Sequence, residues 1–405
     1  MLAFLKDRFD IRLGLITIGL LIIGALSVYS AVYDARMADV FHKQIFWICG
    51  GLVVLVLLWT MPFRFLQFIS YPAYFTSLAM LLAVLLLGKT VSGSTSWFNL
   101  GAFRLQPSEF AKITTTLALA QYLSASDVSL RNLKHLAIAA GIALAPITLI
   151  MLQPDLGTAV TFGGMFLSIL YWGGASRFTL MAIVGPIVVA IAALFGTTAF
   201  LIAVVVVGIL LFLTRDHNIL AAVAFSLTVL IGISVQSIYD GLKPYQQKRI
   251  ATFLDPSADP LGAGYNILQS KVAIGSGGLF GKGYLHGTQT QLNFIPEQWT
   301  DFIFCVPGEE FGFMGAVVVL GLFTALLSRG VTIASIVRNR HSSFLAIGLT
   351  GIFAAHIVIN IGMALGLMPV IGVPLPFLSY GGSALIASMS IVGILLNLYA
   401  HRKEY

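Results

Sequence analysis

Long apolar runs recur along almost the whole of this chain and are the feature that most restricts its fold. There are twelve: 11–33, 44–60, 68–88, 107–124, 135–153, 156–174, 178–195, 198–213, 218–236, 302–328, 344–367 and 377–400. A helix needs about 20 apolar residues to cross a bilayer. Only 10% of the residues are charged and 58% are hydrophobic, whereas a soluble domain carries about 25% charge. The runs therefore predict an all-α polytopic membrane protein, with residues 1–405 forming a single integral membrane domain.

The first apolar run has to be distinguished from a signal peptide, because Lys6, Arg8 and Arg12 lie at its start. It extends over 23 residues, from Ile11 to Tyr33, whereas the apolar region of a signal peptide spans about 7–15 residues. We therefore expect an uncleaved first membrane helix.

Basic residues indicate how the helices are oriented, because cytoplasmic loops of membrane proteins are enriched in Lys and Arg. With the N-terminus in the cytoplasm, the inside segments hold 13 basic residues and the short outside loops hold 4. We therefore expect a multi-pass protein of the cytoplasmic (inner) membrane with both termini in the cytoplasm. The 237–300 segment then becomes a long extracytoplasmic loop. The net charge of +7 is scattered rather than gathered in a patch, which argues against nucleic acid as a partner.

Polar and helix-breaking residues collect at the outer ends of the predicted helices. Glu109 and Lys112 open the fourth helix three residues apart, a spacing that lets them pair. Asp155 lies at the corner between the fifth and sixth helices, and Asp301 at the start of the tenth. Each also has a purely structural interpretation, as part of an ion pair or as a helix cap. Their coincidence at one membrane face, beside the Pro- and Gly-rich 369–383 segment, favours a functional site there.

Glycine is concentrated in the 273–283 part of the long loop. Glycine allows close backbone approach and positive φ, as loops that cradle a phosphate require, but such segments are also often just flexible. The sequence has neither the Walker spacing nor the dinucleotide-binding spacing, so nucleotide binding is unsupported.

Eight longer motifs follow one another along the chain: QPSE-x-AK at 106–112, QPDLGT at 153–158, DPLGAGYN at 259–266, QSK-x-AIGSGGL-x-GKG at 269–283, HGTQ at 286–289, PE-xx-TDFIF at 296–304, EE-x-GF-x-G at 309–315 and GVPLPF-x-SYGGSA at 372–384. In this order they resemble the motifs of the SEDS family (shape, elongation, division and sporulation), and its RodA-like branch more than its FtsW-like branch. The resemblance covers nearly the whole chain. It implies a SEDS-type bundle of ten core transmembrane helices, with the long extracytoplasmic loop before the tenth span.

The resemblance also implies a function. SEDS proteins are peptidoglycan glycosyltransferases that polymerise lipid II at the outer face of the cytoplasmic membrane, and the RodA-like branch serves cell elongation and shape maintenance. The expected partners are a class B penicillin-binding protein, which crosslinks the new strand, the substrate lipid II and the membrane lipids. Asp301 matches the family's essential aspartate and is the expected general base. The residues expected to bind the substrate are Trp97, Arg104, Glu109, Lys112, Asp155, Lys271 and Glu297.

Two features depart from the pattern of the family. The family has His before the Thr of the TDFIF motif, where this chain has Trp299, and any role of that His is therefore in doubt here. Three apolar runs lie within 178–236, where the ten-span arrangement has one. We expect an inserted transmembrane hairpin in this region, which brings the total to about twelve spans.

Two other functions stay open at this point. A lipid II flippase or transporter would suit twelve spans and a polar cavity, although transporter sites lie near the membrane midplane rather than at one face. A non-catalytic scaffold for a cell-wall synthase would leave the outer carboxylates with structural roles alone.

The sequence demands neither a metal nor another cofactor. Cys49 and Cys305 lie in apolar runs, and we expect two small buried side chains rather than a disulfide framework or a metal cluster. A divalent cation such as Mg or Mn, bridging carboxylates and a diphosphate, would suit the implied chemistry. The residue spacing leaves that cation open.

Overall fold

The computed structural model describes residues 8–33, 37–91, 94–99, 101, 104–215, 217–242, 244–255, 264–292, 294–296 and 298–404. The chain separates into two compact units. The large unit comprises Met1–Ile169 and Asn266–Tyr405, and the small unit comprises Leu170–Tyr265. Glu297 and most of the 259–266 motif lie outside the described residues.

Helices, the long ones apolar, make up most of both units. In chain order they are α1 (Ile11–Val32), α2 (Ala38–Thr60), α3 (Phe63–Leu87), α4 (Pro107–Leu123), α5 (Leu133–Leu152), α6 (Leu156–Trp172), α7 (Arg177–Leu194), α8 (Thr197–Thr214), α9 (Asn218–Asp240), α10 (Pro244–Leu254), α11 (Tyr265–Ser276), α12 (Thr288–Gln291), α13 (Cys305–Glu310), α14 (Gly312–Ile336), α15 (Arg340–Ala364) and α16 (Gly382–Ala400). The predicted fold class, an all-α polytopic bundle, is confirmed.

Each of the twelve predicted segments corresponds to a helix. Ten of the described helices are long and apolar enough to cross a membrane, and α4 and α6, with 17 residues each, occupy the two other positions. The prediction for the tenth segment, 302–328, is wrong at its start. The long helix α14 begins only at Gly312, after a turn and the six-residue helix α13.

Side-chain caps define where several of these helices begin. Leu13 N–H donates to Asp10 Oδ1 at 3.2 Å, and His341 N–H donates to Asn339 Oδ1 at 2.9 Å. Each bond satisfies an N–H group that the first turn of a helix leaves without a partner. Asp10 also accepts from Arg329 Nε, which joins the start of α1 to α14.

Helices α15 and α16 are the most deeply buried of the long helices in the large unit. A buried asparagine fastens α16 to its neighbour α2. Asn397 Nδ2 donates to the carbonyls of Leu58, Trp59 and Met61 at 2.9, 3.1 and 2.6 Å. These carbonyls end α2 and would otherwise lack a partner, because the last turn of a helix has no N–H groups beyond it.

A small antiparallel sheet that was not predicted lies between α3 and α4. Its strands β1 (Lys89–Val91), β2 (Ser94–Asn99) and β3 (Arg104–Leu105) pair in that order. Ser94 Oγ donates to the carbonyl of Gln153 at 3.0 Å, which fastens β2 to the end of α5. The sheet therefore rests on the end of the bundle where α4 begins.

The two cysteines are both free thiols. Cys305 is buried and lies 2.9 Å from Ser270 Oγ, as expected for a small core side chain. The expectation was wrong for Cys49, which is exposed on α2. An exposed apolar helix face in a membrane bundle faces lipid, so burial against protein is not needed to keep this thiol out of water.

The small unit packs α7, α8 and α9 against one another around Val189, Val207 and Leu211. A Cβ atom on Gly185 would lie 2.7 Å from Val207 Cγ1, so glycine at this position allows α7 and α8 to approach closely, as small residues do in membrane helix pairs. The predicted 178–236 hairpin falls within these helices and stays a prediction.

Candidate functional site

The loop that joins α15 to α16, residues 366–380, starts from a helix end that requires glycine. Gly366 has a φ of +69°, in a region that other residues rarely adopt. Leu367 N–H donates to Gly362 O at 2.7 Å and Gly366 N–H donates to Met363 O at 3.0 Å. This pair of bonds is the Schellman arrangement, and it ends α15 and begins the 366–380 loop.

The turn that contains Asp301 is fastened to the 366–380 loop through its main chain. Ser379 Oγ donates to Thr300 O at 2.6 Å, and Tyr380 N–H donates to Trp299 O at 2.8 Å. The two acceptors are the carbonyls of the two residues that precede Asp301. The loop therefore fixes the backbone that carries the predicted general base.

A third contact reaches Asp301 from the last turns of the buried helix α15. Asn360, on α15, donates from Nδ2 to Asp301 O at 2.9 Å and to Val373 O at 2.7 Å. The carboxylate itself lies beside the same loop, since a Cβ atom on Gly372 would be 3.6 Å from Asp301 Oδ2. Asp301 is half-buried, so its carboxylate is held against the loop and keeps part of its surface open.

Glu109 and Lys112 form the predicted pair on α4, with Lys112 Nζ 2.9 Å from Glu109 Oε1. Both are buried, with 4% and 1% of their surface exposed. Lys112 Nζ also lies 2.6 Å from Nε2 of His356, whose Nδ1 lies 3.0 Å from Pro374 O. The ion pair thus reaches the 366–380 loop through one histidine.

A small cavity lies against this pair. Its volume is about 10 Å³, roughly the room that one water needs. Six of the residues that line it are Glu109, Lys112, His356, Pro374, Phe377 and Ser379. A sugar is much larger than this cavity, so in this structure Glu109 and Lys112 contact the site through His356 and not through an open cleft.

Asp155 caps helix α6, as the structural interpretation of this residue proposed. Its carboxylate accepts from Thr158 N–H at 3.0 Å and from Thr158 Oγ1 at 2.9 Å. It also accepts from Gln106 Nε2 at 3.1 Å, at the start of α4. Gln106 N–H in turn donates to Ser383 Oγ at 3.2 Å, so the corner with Asp155 is connected to the start of α16.

Gly157 allows the start of α6 to lie directly on the 366–380 loop, because a Cβ atom there would lie 2.4 Å from Ile371 O. Replacing Gly157 with alanine is expected to lower the free energy of unfolding by about 1–3 kcal/mol through overpacking. Gly163→Ala, on the same helix, is the matched control, since no atom lies within 4 Å of its added Cβ. Thermal unfolding of the purified protein compares the two variants, and equal midpoints would contradict the prediction.

Trp97 and Arg104 lie on the small sheet. Trp97 is half-buried on β2, and the Arg104 side chain is exposed on β3. Arg104 O accepts from Ser383 Oγ at 3.1 Å. Burial raises the pKa of Tyr380, and the nearby guanidinium of Arg104 acts in the opposite direction. The sheet therefore brings a cation close to the end of the 366–380 loop.

Lys271 is an exposed residue of α11 whose side chain lies on the end of α15. A Cβ atom on Gly366 would lie 2.7 Å from Lys271 Nζ. The C-terminal end of a helix carries partial negative charge, which favours an ammonium group there. Ser270 fixes α11 in the same place by donating to Ala364 O at 2.5 Å.

Glu309, on the short helix α13 ahead of α14, supports the long loop. Its carboxylate accepts from Lys282 Nζ at 2.7 Å, from Gln289 N–H at 2.9 Å, and from Thr290 N–H and Oγ1 at 2.9 and 2.8 Å. Burial acts to raise the pKa of Glu309, but these donors outweigh it and the pKa is lowered. The neighbouring Glu310 accepts from Ser30 Oγ. The EE motif therefore holds the loop in place.

The Gly-rich 273–283 segment is packed tightly against the residues around α13. Cβ atoms on Gly277 and Gly281 would lie 2.2 Å from Gly308 O and 2.1 Å from Glu310 O. Lys282 N–H donates to Glu309 O at 3.1 Å. Of the two interpretations of this segment, close backbone approach is the one that the contacts support, and the partner is the protein's own main chain.

The structure thus brings most of the predicted site residues to one end of the large unit, around the 366–380 loop. His356 and Asn360 contact this loop and were not predicted. The signal for them was present, because polar side chains inside an apolar helix are costly and usually functional. In the described part of the chain, no three His, Cys, Asp or Glu residues gather as a metal site would require.

The chain is similar to known proteins along its whole length. The model of the FTSW_RODA_SPOVE family, described as cell cycle protein, matches residues 8–198 and 195–404. Peptidoglycan glycosyltransferase MrdB of Escherichia coli (strain K12) is 37% identical over 398 residues, which cover 98% of this chain and 95% of MrdB. Peptidoglycan glycosyltransferase RodA of Treponema pallidum (strain Nichols) is 34% identical over 426 residues, covering 97% of this chain and 98% of RodA.

A solved structure shares the fold. Its description reads "Structural coordination of polymerization and crosslinking by a peptidoglycan synthase complex". One of its chains superposes on this chain with a TM-score of 0.76. The two chains are 29% identical, and the superposition covers 98% of this chain and 99% of the other. The similarity therefore extends to both units of the present structure.

Proposed function

Because this chain belongs to the FtsW/RodA/SpoVE family of cell cycle proteins, we propose that it is a peptidoglycan glycosyltransferase that polymerises lipid II for cell elongation and shape maintenance. The observation that carries the proposal is the position of Asp301, half-buried against the 366–380 loop. Two exposed cations, Arg104 and Lys271, lie at the same end of the large unit. A carboxylate and cations at one site suit the transfer of a sugar from a diphosphate carrier.

The reaction joins the C4 hydroxyl of an acceptor sugar to the anomeric carbon of the donor. The bond between that carbon and undecaprenyl diphosphate breaks, and the diphosphate leaves with the electron pair. A sugar hydroxyl is a poor nucleophile, so a positioned base accelerates the attack. Asp301 takes the hydroxyl proton as the new glycosidic bond forms.

The leaving diphosphate needs positive charge close to its oxygen atoms. Arg104 and Lys271 are exposed, and they are the cations that reach the substrate in this proposal. Lys112 is buried and already contacts Glu109 and His356, so its contribution is made through the 366–380 loop. Trp97 on the same sheet and Asp155 at the start of α6 border the substrate path, and Glu297 completes the proposed set.

The proposal places the Asp301 end of the large unit at the outer face of the cytoplasmic membrane, with both termini in the cytoplasm. The excess of basic residues in the predicted inside segments supports this orientation. The partner in the proposal is a class B penicillin-binding protein that crosslinks the product. The shared fold with a chain of a peptidoglycan synthase complex supports it.

The purified full chain, alone and with its class B penicillin-binding protein, is to be incubated with lipid II in detergent. We expect a ladder of glycan polymers on a denaturing gel. The same preparation in liposomes measures the movement of labelled lipid II between leaflets. Translocation without polymer would support a flippase instead, and neither activity would support a scaffold.

A further inference from the structure

Helix α15 carries two polar side chains one turn apart, His356 and Asn360. Residues four apart on a helix share a face, so both point toward the same neighbours. They are 6% and 0% exposed, inside a helix that is otherwise mostly apolar. Burying polar groups inside a membrane helix is costly, and the contacts that compensate for this cost indicate what the two residues do.

The two side chains hold consecutive carbonyls of the 366–380 loop. Asn360 Nδ2 donates to Val373 O at 2.7 Å, and His356 Nδ1 donates to Pro374 O at 3.0 Å. The same Asn360 amide donates to Asp301 O at 2.9 Å. One helix face therefore fixes both the loop and the backbone of the proposed base.

Pro374 and Lys112 together fix which ring nitrogen of His356 carries the proton. A carbonyl oxygen can only accept, so the proton of His356 must be on Nδ1 to bond Pro374. Its Nε2 then has a lone pair that accepts from Lys112 Nζ at 2.6 Å. Glu109 holds the other side of Lys112 at 2.9 Å. Buried hydrogen bonds thus connect the ion pair of α4 to the loop that lies against Asp301.

We infer that His356 and Asn360 are positioning residues for Asp301, an inference that rests on the proposed function and deepens it. Neither residue is assigned a contact with the reacting sugars. They hold the 366–380 loop and the Asp301 turn in a fixed position relative to each other, so that the carboxylate meets the acceptor hydroxyl. Small errors in such a distance are costly, since a displacement of about 1 Å can lower a rate about 100-fold.

The first test compares Asn360→Ala with Asn397→Ala. Both asparagines are fully buried, donate Nδ2 to main-chain carbonyls, and have a side-chain oxygen without a partner among the described residues. Asn397 binds the end of α2, which the proposed site does not include. Asn360→Ala is expected to lower kcat for lipid II polymerisation at least about tenfold with KM unchanged, whereas Asn397→Ala keeps the kcat of the unmutated chain.

The second test separates the two bonds of His356. An asparagine amide can take the place of Nδ1 and donate to Pro374, whereas a glutamine amide takes the place of Nε2 and contacts Lys112. His356→Asn is expected to retain most of kcat, and His356→Gln to lose it at least about tenfold, as after loss of a positioning contact. Each variant is checked by size-exclusion chromatography for a single monodisperse peak, and its thermal unfolding midpoint is measured.

An unchanged kcat in Asn360→Ala overturns the inference, and so does an equal loss of kcat in Asn397→Ala. The inference is also overturned if His356→Gln keeps its activity and His356→Asn loses it. These outcomes require that the unmutated chain, with its class B penicillin-binding protein, makes polymer from lipid II. Absence of polymer from the unmutated chain would overturn the proposed function and this inference together.

Discussion

Asp301→Asn is expected to abolish polymerisation of lipid II while the protein folds normally. The side chain keeps its size, and the contacts of the neighbouring carbonyls with Ser379 and Tyr380, together with the bond from Asn360 to the Asp301 carbonyl, do not involve the carboxylate. Asparagine cannot accept the hydroxyl proton, so the contribution of general base catalysis, about 10²–10⁴-fold in rate, is lost.

The measurement is the initial rate of glycan formation by the full chain with its penicillin-binding partner, at saturating lipid II. Asp240→Asn makes the same chemical change at an exposed carboxylate that accepts from Gln236 Nε2 at 3.1 Å, and it should keep the rate of the unmutated chain. Glycan chains of near-normal length and rate from Asp301→Asn would rule out this residue as the base.

Lys112→Met is expected to produce the largest loss of stability among single substitutions near the site. The variant leaves the carboxylate of Glu109 buried, with 4% of its surface exposed, and without the ammonium 2.9 Å away. Removing one partner of a buried ion pair costs about 3–5 kcal/mol, because the remaining charge is uncompensated. The bond to His356 is lost as well.

The double variant Glu109→Gln with Lys112→Met tests the cause of this loss. It removes both charges, and replacing a whole buried pair by neutral groups is often close to neutral in stability. The unfolding midpoint in detergent should therefore recover most of the difference between Lys112→Met and the unmutated chain. If the double variant is as unstable as the single variant, an unpaired charge is not the reason.

The parts of the fold that the sequence predicted well are those that depend on local composition. Apolar runs mark the helices because a bilayer forces every spanning segment to bury its own backbone groups. The spacing of Glu109 and Lys112 predicted their ion pair, which is confirmed, because residues three apart on a helix face are neighbours whatever surrounds them. The family resemblance, drawn from the order of the motifs, is confirmed by the family match.

The start of the tenth segment shows where composition is not sufficient. Residues 302–306 are apolar and buried, and hydropathy cannot distinguish a buried turn from a membrane helix. The chain forms a turn and the short α13 there, and α14 begins after them at Gly312, which has a φ of +64°. Tight packing of the 273–283 segment against α13 stabilises this arrangement, and that packing depends on residues distant in sequence.

The role of His356, like the start of the tenth segment, could not be predicted from the sequence. Its two contacts, with Lys112 and with Pro374, are 244 and 18 residues away, and a single histidine in an apolar helix does not reveal such partners. The 366–380 loop was recognised as a Pro- and Gly-rich motif. Its position at the centre of the site follows from contacts with α6, α15 and the Asp301 turn, which only the fold brings together.

Because the Asp301 turn is attached through its main chain, the site can tolerate changes of side chain at the two residues before Asp301. Ser379 and Tyr380 bind the carbonyls of residues 300 and 299, and every amino acid provides a carbonyl. A new side chain at either position leaves those two acceptors in place. Trp299, at the position where the resemblance implied His, contributes only its carbonyl to these two bonds, so this side chain leaves the attachment of the Asp301 turn in place.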